Sequence, residues 1–376
     1  MTAAAAHARF TFAFHHTLNP GGGELVWSPY SLASGLGLAA SGACGPTRDE
    51  IAGFLAPGAG PGGPDKLSET GELLARAAGL DPDRGTRSVL AVANTLWTRP
   101  DLAVRPGYER ALAAWPGAGV HAADFATDPD GARQAINSHV DKATRGHISE
   151  LLERGTVTRA TLAVLVNALW LRLVWTEPFR VDRTRPRPFH TPGGTREVAT
   201  MTRRARLAHA TTGGWQLVSL PGEGGLTVDF CLPDAPLAAL DAGTYAALRG
   251  RTRSTDVELY LPRFSLRNTA ELDGPLRGHG VRQLFTDAAD LSGISPTPLK
   301  VDKVVHAATL DVDETGAEGS AATALLMTPG SVPVPSEPTV VRLDRPFYAV
   351  VRHDATGAIY FLAHVTHPRE TSTYRD

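Results

Sequence analysis

Residues 311–338, DVDETGAEGSAATALLMTPGSVPVPSEP, form the stretch that decides the fold. It begins with a strand-like alternation, continues as very small residues in which Glu318 is the only charge of 317–328, and ends in a group of prolines. Because proline lacks a backbone N–H, no ladder donor is lost before Pro329. The pattern favours a segment that lies outside the fold and can later join a β-sheet as an interior strand. A flexible Ala/Gly/Ser linker is the alternative.

The two faces of such a strand differ, because side chains alternate with period two. The face that starts at Ala317 carries no charge and begins with very small residues, whereas the other face carries Glu318. The uncharged face consists of Ala317, Gly319, Ala321, Thr323, Leu325 and Met327. Small side chains let neighbouring strands close around an entering chain, so this face is expected to point inward.

Composition is typical of a folded, soluble chain: 376 residues, 42% hydrophobic, 20% charged, with a formal net charge of −2. This charge gives no electrostatic case for nucleic acid or an anionic membrane. Cys44 and Cys231 are the only cysteines, and no zinc-ligand spacing occurs, so neither a disulfide framework nor a metal or cofactor is predicted. Arginine supplies nearly all the positive charge. With abundant Ala, Gly and Pro, this favours a GC-rich, bacterial genome.

The N-terminal sequence MTAAAAHARFTFAF lacks the basic start and apolar block of a secretory signal. No uncharged run is long enough to span a bilayer. A cytoplasmic location is therefore expected, or an extracellular one if a leader has been removed.

Helices are predicted mainly in the first part of the chain and strands in the remainder, which favours one α+β domain with large antiparallel or mixed sheets. Residues 28–40 are predicted to form a helix with Ser28 as its N-cap. Residues 162–174 and 301–312 are apolar runs typical of strands buried on both faces. Residues 269–280 are predicted to be helical.

Several motifs are similar to those of one family, the serpins, and occur in the same order. They are SPYSLASGLGLAASGACGPTRDEI (28–51), NTLWTRPDLAV (94–104), INSHVDKATRGHISELL (136–152), LVNALWLRLVWTEPF (165–179), VELYLPRFSL (257–266), LFTDAADLSGIS (284–295), KVVHAATLDVDETGAEGSAATA (303–324) and DRPFYAVVRH (344–353). The resemblance covers roughly residues 10–368. It rests on the order of the motifs, since each alone is weak.

The resemblance implies an α+β fold with three β-sheets, about eight or nine helices and an exposed reactive-centre loop at about 315–340, in a single domain spanning 1–376. It implies a protease inhibitor and not an enzyme. A serine protease attacks a bait bond in the loop and forms an acyl-enzyme. The loop then inserts into the main sheet, and the attached protease is deformed. The inhibitor is expected to be a metastable monomer that binds no nucleic acid, membrane or cofactor.

Matching positions give the residues that the resemblance implies for function. The hinge of the loop consists of Glu314, Gly316, Ala317, Gly319, Ser320, Ala321, Ala322 and Thr323. Sheet opening is controlled by Ser28, Ser31, Asn167 and His306, and Trp175 lies where the loop first inserts. Buried polar groups on apolar elements need one another as partners, so a breakable network of them is a reasonable latch. No catalytic or metal-binding residue is implied.

The position of the bait bond stays open. Counting forward from Glu314 puts it at Gly330–Ser331, whereas counting backward from Pro346 puts it near Pro335. Bonds before proline are poor protease substrates, which leaves as alternatives Ser331–Val332, Met327–Thr328 and Leu326–Met327. Residues 312–340 contain no Lys or Arg, which argues against a trypsin-like target. Small or apolar bait residues suit elastase-like or subtilisin-like enzymes best, and chymotrypsin-like enzymes next.

Two other functions remain open from the sequence. A non-inhibitory serpin would act as a binding, storage or chaperone-like protein, and such members often carry a bulky, charged or proline residue in the hinge. The small residues Ala317, Gly319 and Ala321 argue against it. A serine hydrolase would need a Gly-x-Ser-x-Gly elbow, which the sequence lacks. Turnover of a general ester or peptide substrate would identify such an enzyme.

Overall fold

The computed structural model describes residues 2–58, 64–80, 87–235, 238–316 and 337–369. Eight α-helices lie in these ranges, most of them in the first half of the chain. They are α1 (Ala3–Leu18), α2 (Pro29–Gly42), α3 (Gly45–Leu55), α4 (Pro64–Ala77), α5 (Pro106–Leu112), α6 (Pro129–Ala143), α7 (Ala242–Gly250) and α8 (Asp273–Gly278).

Helix α2 begins where the sequence predicts. The Ser28 side chain accepts a hydrogen bond from the Ser31 backbone N–H at 3.0 Å, and Pro29 occupies the first helical position, where no N–H is needed. The helix is buried on all sides. A Cβ on Gly37 would lie 2.2 Å from the Trp115 ring, so glycine permits a close approach there. Helix α2 can therefore run through the centre of the molecule.

Fourteen β-strands in the described ranges form two hydrogen-bonded sheets. They are β1 (Leu25–Trp27), β2 (Val89–Thr98), β3 (Ala118–Ala122), β4 (Ala163–Arg172), β5 (Arg185–Thr191), β6 (Gly194–Thr212), β7 (Trp215–Pro221), β8 (Leu226–Pro233), β9 (Arg253–Pro262), β10 (Phe264–Glu271), β11 (Lys303–Val312), β12 (Thr339–Arg342), β13 (Phe347–His353) and β14 (Ile359–Val365).

The larger sheet has nine strands in the order β1-β14-β13-β8-β7-β6-β9-β12, with β5 also paired to β6. The long strand β6 pairs with β5 at 194–200, with β9 at 200–209 and with β7 at 208–212. Strand β6 therefore connects two parts of this assembly that can be counted as separate sheets. One contains β5, β9 and β12, and the other runs from β7 to β1. With the five-stranded sheet these make the three predicted sheets, and the predicted α+β fold is confirmed.

The five-stranded sheet has the order β10-β11-β4-β2-β3, and helices pack on both of its faces. On its central strand β4, Leu165 and Leu169 pack into the main core with α2, whereas Val164 and Val166 pack into a second core with α6. Strands β10 and β11 are antiparallel, as are β2 and β4, but β11 and β4 are parallel. The centre of this sheet is thus a parallel pair between antiparallel neighbours.

The helix predicted over 269–280 is wrong for its first part. Strand β10 continues to Glu271 because its residues pair with β11, and the helix is confined to Asp273–Gly278. Pairing within a buried sheet here outweighs local helix preference. None of the helices in the described ranges has the length and apolar character needed to cross a membrane.

Candidate functional site

Strands β4 and β11 form a parallel pair at the centre of the five-stranded sheet. We call the line between these two strands the seam. Its ladder runs from Val164 paired with Lys303 to Trp170 paired with Thr309. Beyond the last pair, β11 continues for three residues and β4 for two. A parallel pair is slightly less stable per residue than an antiparallel one. A strand inserted antiparallel to both would therefore replace one parallel pairing with two antiparallel pairings.

The chain reverses directly after β11. Asp313 Oδ1 accepts hydrogen bonds from the backbone N–H groups of Thr315 at 2.8 Å and Gly316 at 3.1 Å. Gly316 has a φ of 110°, and a Cβ there would lie 2.2 Å from the Leu173 carbonyl oxygen. Glycine is therefore required at this point. Gly316 lies against the end of β4, and the predicted insertable segment begins with the next residue.

A group of side chains fastens this end of the seam, and we call it the terminal cluster: Trp175, Thr184, Arg263, Asp313 and Glu314. The Glu314 carboxylate accepts hydrogen bonds from Arg263 Nε at 2.8 and 2.9 Å and from the Thr184 hydroxyl. Burial by itself would raise the pKa of Glu314, but the hydrogen bonds from Arg263 and Thr184 outweigh it and lower that pKa. An ionised Glu314 thus ties the end of β11 to the junction of β9 and β10.

Trp175 lies fully buried beneath the turn. Its indole Nε1 donates to the Asp313 carbonyl oxygen at 2.8 Å, and its backbone N–H donates to the Thr315 carbonyl oxygen at 3.0 Å. The carbonyl oxygen between these two, that of Glu314, accepts a hydrogen bond from the Phe179 N–H at 2.8 Å. Three successive carbonyl groups of the turn are therefore held by the chain that follows β4.

A second set of polar side chains lies at the middle of the seam, at paired positions on three neighbouring strands. His306 on β11 is paired with Asn167 on β4, which is in turn paired with Asn94 on β2. All three side chains are fully buried, as are Ser28 and Ser31 at the start of α2. We call these five residues the central cluster.

Hydrogen bonds connect the central cluster to α2. The Ser28 backbone N–H donates to His306 Nε2 at 3.0 Å. Ser31 Oγ donates to Asn94 Oδ1 at 2.8 Å, and the same oxygen accepts from Asn167 Nδ2 at 3.2 Å. Helix α2 is thus bonded to β11 and to β2, which lie on opposite sides of β4.

Two polar atoms of the central cluster are not satisfied. Among the described residues, His306 Nδ1 and Asn167 Oδ1 are buried and have no hydrogen-bond partner. Burial lowers the pKa of His306 to about 3, so its imidazole is neutral, and the Ser28 N–H on Nε2 places the ring proton on Nδ1. A donor and an acceptor therefore lie unpaired on opposite sides of the seam. Each costs about 1–3 kcal/mol, which weakens the closed sheet.

The structure brings together the four residues predicted to control sheet opening, and it adds Asn94 and Gly35, which sequence reasoning missed. Asn94 interrupts the apolar run VLAVANTLW much as Asn167 interrupts its own strand, so the signal was present in the sequence. A Cβ on Gly35 would lie 1.7 Å from Asn167 Nδ2. Glycine on α2 therefore makes room for the amide.

Trp175 and Glu314 lie together in the terminal cluster and Gly316 lies directly beside it, but Arg263 was missed by sequence reasoning. Its partner Glu314 is 51 positions away, and nothing in either local sequence points to the other.

The other predicted site residues lie outside the described residues. These are the hinge residues Ala317, Gly319, Ser320, Ala321, Ala322 and Thr323, and the bait-bond candidates Leu326, Met327, Thr328, Gly330, Ser331, Val332 and Pro335. Their roles stay predictions.

Comparison with known sequences finds relatives along nearly the whole chain. A family model described as "Serpin (serine protease inhibitor)" matches residues 5–368. Iripin-2 of the tick Ixodes ricinus is 32% identical over 360 residues, which cover 92% of this chain and 89% of the relative. The leukocyte elastase inhibitor of Bos taurus is 32% identical over 387 residues, which cover 97% of this chain and 99% of the relative.

A solved structure has the same fold. Human thyroxine-binding globulin in complex with thyroxine matches with a TM-score of 0.84 at 23% identity, covering 98% of this chain and 99% of that one. At this identity the likeness concerns the fold alone. The two sequence relatives come from a tick and from cattle, so they do not support the bacterial source, which stays a prediction.

Proposed function

The chain belongs to the serpin family, and from this premise we propose that it inhibits a serine protease as a suicide substrate. The family description names protease inhibition and no catalytic activity. The proposed partner is a serine protease bound covalently through the reactive-centre loop. The inhibitor acts as a monomer without cofactor, nucleic acid or membrane, and a cytoplasmic location, or an extracellular one after loss of a leader, is part of this proposal.

The proposed reaction uses the chemistry of the protease. The protease serine Oγ attacks the carbonyl carbon of the bait residue, and the bond to the following nitrogen breaks. That nitrogen leaves as an amine, protonated by the histidine of the protease, and an ester joins the bait residue to the serine. The segment then inserts into the seam and carries the protease with it. Deformation of the protease stops water from hydrolysing the ester.

The single observation that supports this best is the position of Gly316, the residue directly before the segment proposed to insert. Gly316 has already turned away from β11 and lies at the unpaired end of the seam, against Leu173. Residues 317–328 follow with twelve positions free of proline, against ten residues in each of β4 and β11. The segment is therefore long enough to run the length of the seam in the antiparallel direction.

The driving force is new pairing at the centre of the sheet. Each ladder hydrogen bond contributes about 0.5–1.5 kcal/mol net, so a strand of about ten residues would contribute on the order of 10 kcal/mol. Burial of its apolar side chains adds to this. The inserted state would therefore be much more stable than the native one.

The proposed bait bond is Gly330–Ser331, and the proposed target is an elastase-like or subtilisin-like protease. The test is incubation with subtilisin, pancreatic elastase, chymotrypsin and trypsin, followed by denaturing gels and intact mass spectrometry. We expect a denaturant-resistant complex with subtilisin or elastase and none with trypsin. The released peptide should begin at Ser331. Its mass would also identify the bond if one of the alternatives is used.

Two variants with the same added charge separate insertion from recognition. Ala317→Arg should turn the inhibitor into a substrate that is cleaved without forming a complex, because a charge would have to enter the sheet. Ser336→Arg lies beyond the bait bond, in a part of the loop that does not enter the seam, and should still form the complex. Clean cleavage of the unmodified protein by every protease, without any complex, would contradict the proposal and favour a non-inhibitory function.

A further inference from the structure

The part of the larger sheet that contains β5, β6, β9 and β12 is rich in arginine. These strands carry eight arginines and three acidic residues, an excess of five positive charges in a chain whose net charge is −2. The arginines are Arg185, Arg187, Arg196, Arg203, Arg204, Arg206, Arg253 and Arg342, and the acids are Glu197, Asp256 and Glu258.

The three arginines closest together in sequence already have partners. Arg203 binds the Glu177 side chain and carbonyl oxygen, and Arg204 pairs with Asp256 at 2.7 Å. Arg206 donates to the Ser254 carbonyl oxygen at 3.3 Å. This cluster is therefore occupied by the protein's own acceptors.

Arg187 and Arg342 are placed differently. Their guanidinium carbons lie over the ring of one tyrosine, Tyr260, at 4.6 and 5.0 Å from its centroid. Within the described ranges neither side chain forms an ion pair, and the Tyr260 hydroxyl is directed to Glu258 Oε1 at 2.9 Å. Two cations drawn to one aromatic ring repel each other. A carboxylate placed between them would relieve that repulsion.

A cavity of about 230 Å³ opens beside these two arginines. Phe189, Val198 and Leu343 line it with apolar surface. Its one acidic lining residue, Asp344, is bonded to Arg345 at 3.1 Å. The cavity therefore combines an apolar wall with two guanidinium groups that form no ion pair within the described ranges, a combination that suits the side chain of Asp or Glu.

This surface continues directly from the reactive-centre loop. Strand β12 begins at Thr339, next to the loop, and its Arg342 is paired with Tyr260 on β9. On the same strand Val340 is 38% exposed, one of two exposed large apolar residues in the described ranges. Arg342 lies twelve positions after the proposed bait residue Gly330, a reach of at most about 40 Å. A protease of about 250 residues is roughly 45 Å across, so one docked on the loop is large enough to reach this surface.

We propose that Arg187, Arg342 and Tyr260, with the adjoining cavity, bind an acidic side chain on the surface of the protease that docks on the loop. This inference rests on the proposed function and adds the chemistry of the partner: a protease with a carboxylate-rich surface on the side that faces the part of the loop after the bait bond. Opposite charges at the rim of an interface chiefly raise the association rate and its dependence on salt.

The test compares Arg187→Gln/Arg342→Gln with the control Arg154→Gln/Arg159→Gln. The control removes the same charge from two exposed arginines just before β4, at the end of the seam opposite Gly316. Binding of fluorescent hexaglutamate, a stand-in for an acidic protease surface, is measured by anisotropy in 50 mM NaCl. The association rate is measured with the protease that forms the covalent complex fastest. Equal melting temperatures verify that both variants fold.

We expect the Arg187/Arg342 variant to bind hexaglutamate about tenfold more weakly and to trap the protease about tenfold more slowly, and the control to match the unmodified protein. The difference should disappear at 500 mM NaCl, because salt screens exposed charges. The number of inhibitor molecules consumed per protease should not change, since insertion is untouched.

Equal hexaglutamate binding by all three proteins would overturn the inference whether or not a protease is trapped. Stronger binding of a heparin-derived oligosaccharide at the same arginines would assign the surface to a polyanion and overturn the protease as its occupant. Hexaglutamate binding without a covalent complex with any protease would instead be a failure of the proposed function. An unchanged trapping rate despite weaker hexaglutamate binding would also overturn the protease as occupant.

Discussion

The central cluster and the terminal cluster close the same two strands with different chemistry. The central cluster joins β4 and β11 to α2 through five uncharged side chains, all of them inaccessible to solvent. The terminal cluster relies on an ion pair between Glu314 and Arg263, and the Arg263 side chain is 28% exposed. Water can therefore solvate one partner of the terminal cluster as it breaks, whereas it cannot reach the central one until the sheet has parted.

This difference implies an order of opening. The unpaired ends of β4 and β11 lie next to Gly316, and an inserting strand would pass Thr309 before it reached His306. The terminal cluster would then yield first, at moderate cost, and the central cluster would set the main barrier. Changes at the centre should therefore have larger effects than changes at the end.

Gly35→Ala should have the largest effect, because the new Cβ would lie 1.7 Å from Asn167 Nδ2 and force the amide away from Asn94. Alanine is favoured over glycine in a helix by about 1 kcal/mol. Overpacking and a lost buried hydrogen bond outweigh this, and we expect a net loss of about 2–3 kcal/mol in the free energy of unfolding of the native state. Denaturant titration measures it.

Gly53→Ala is the matched control for this change. Gly53 lies in α3, and nothing is found within 4 Å of a Cβ added there. Alanine should leave stability unchanged or raise it by up to about 1 kcal/mol. If Gly35→Ala proved as stable as Gly53→Ala, the central cluster would not be the tight junction described.

Glu314→Gln should have a smaller effect at the terminal cluster. It keeps the shape of the side chain but replaces a charged acceptor of Arg263 with a neutral one. Breaking a fully buried pair costs about 3–5 kcal/mol, and the partial exposure of Arg263 reduces this to about 1–2 kcal/mol. Denaturant titration should show the loss, and incubation at 37 °C should show faster conversion to a heat-stable, loop-inserted form.

Asp101→Asn serves as control for Glu314→Gln, since Asp101 pairs with Arg99 and its side chain is 63% exposed. It should change stability by less than about 0.5 kcal/mol. A loss at Glu314 larger than that caused by Gly35→Ala would reverse the proposed order of opening.

Local signals were enough to predict much of this site. The N-cap Ser28 and the apolar strands that contain Asn167 and His306 follow from short stretches of sequence. Long-range pairing was not predictable in the same way. The alignment of His306, Asn167 and Asn94 across three strands depends on sheet register, and the bond between Glu314 and Arg263 depends on how β10 meets β11. The helix predicted at 269–280 fails for the same reason.

Acidification should separate the two clusters, because only the central one contains a histidine. The pKa of His306 is about 3 in the fold and about 6.5 in the unfolded chain, so the unfolded chain binds more protons and the native state loses stability as pH falls below 6.5. At pH 5.5 this amounts to about 1.4 kcal/mol. The lowered pKa of Glu314 keeps the terminal ion pair charged over the same range.

The share of His306 must be separated from that of other buried histidines, since His7, His15 and His364 also have lowered pKa values and act with the same sign. His306→Gln, which can still accept the Ser28 N–H, removes this one titration. Its free energy of unfolding, measured from pH 7.0 to 5.5, should fall by about 1.3 kcal/mol less than that of the unmodified protein, although the variant starts less stable. Parallel curves would show that protonation of the central cluster does not contribute to acid opening of the seam.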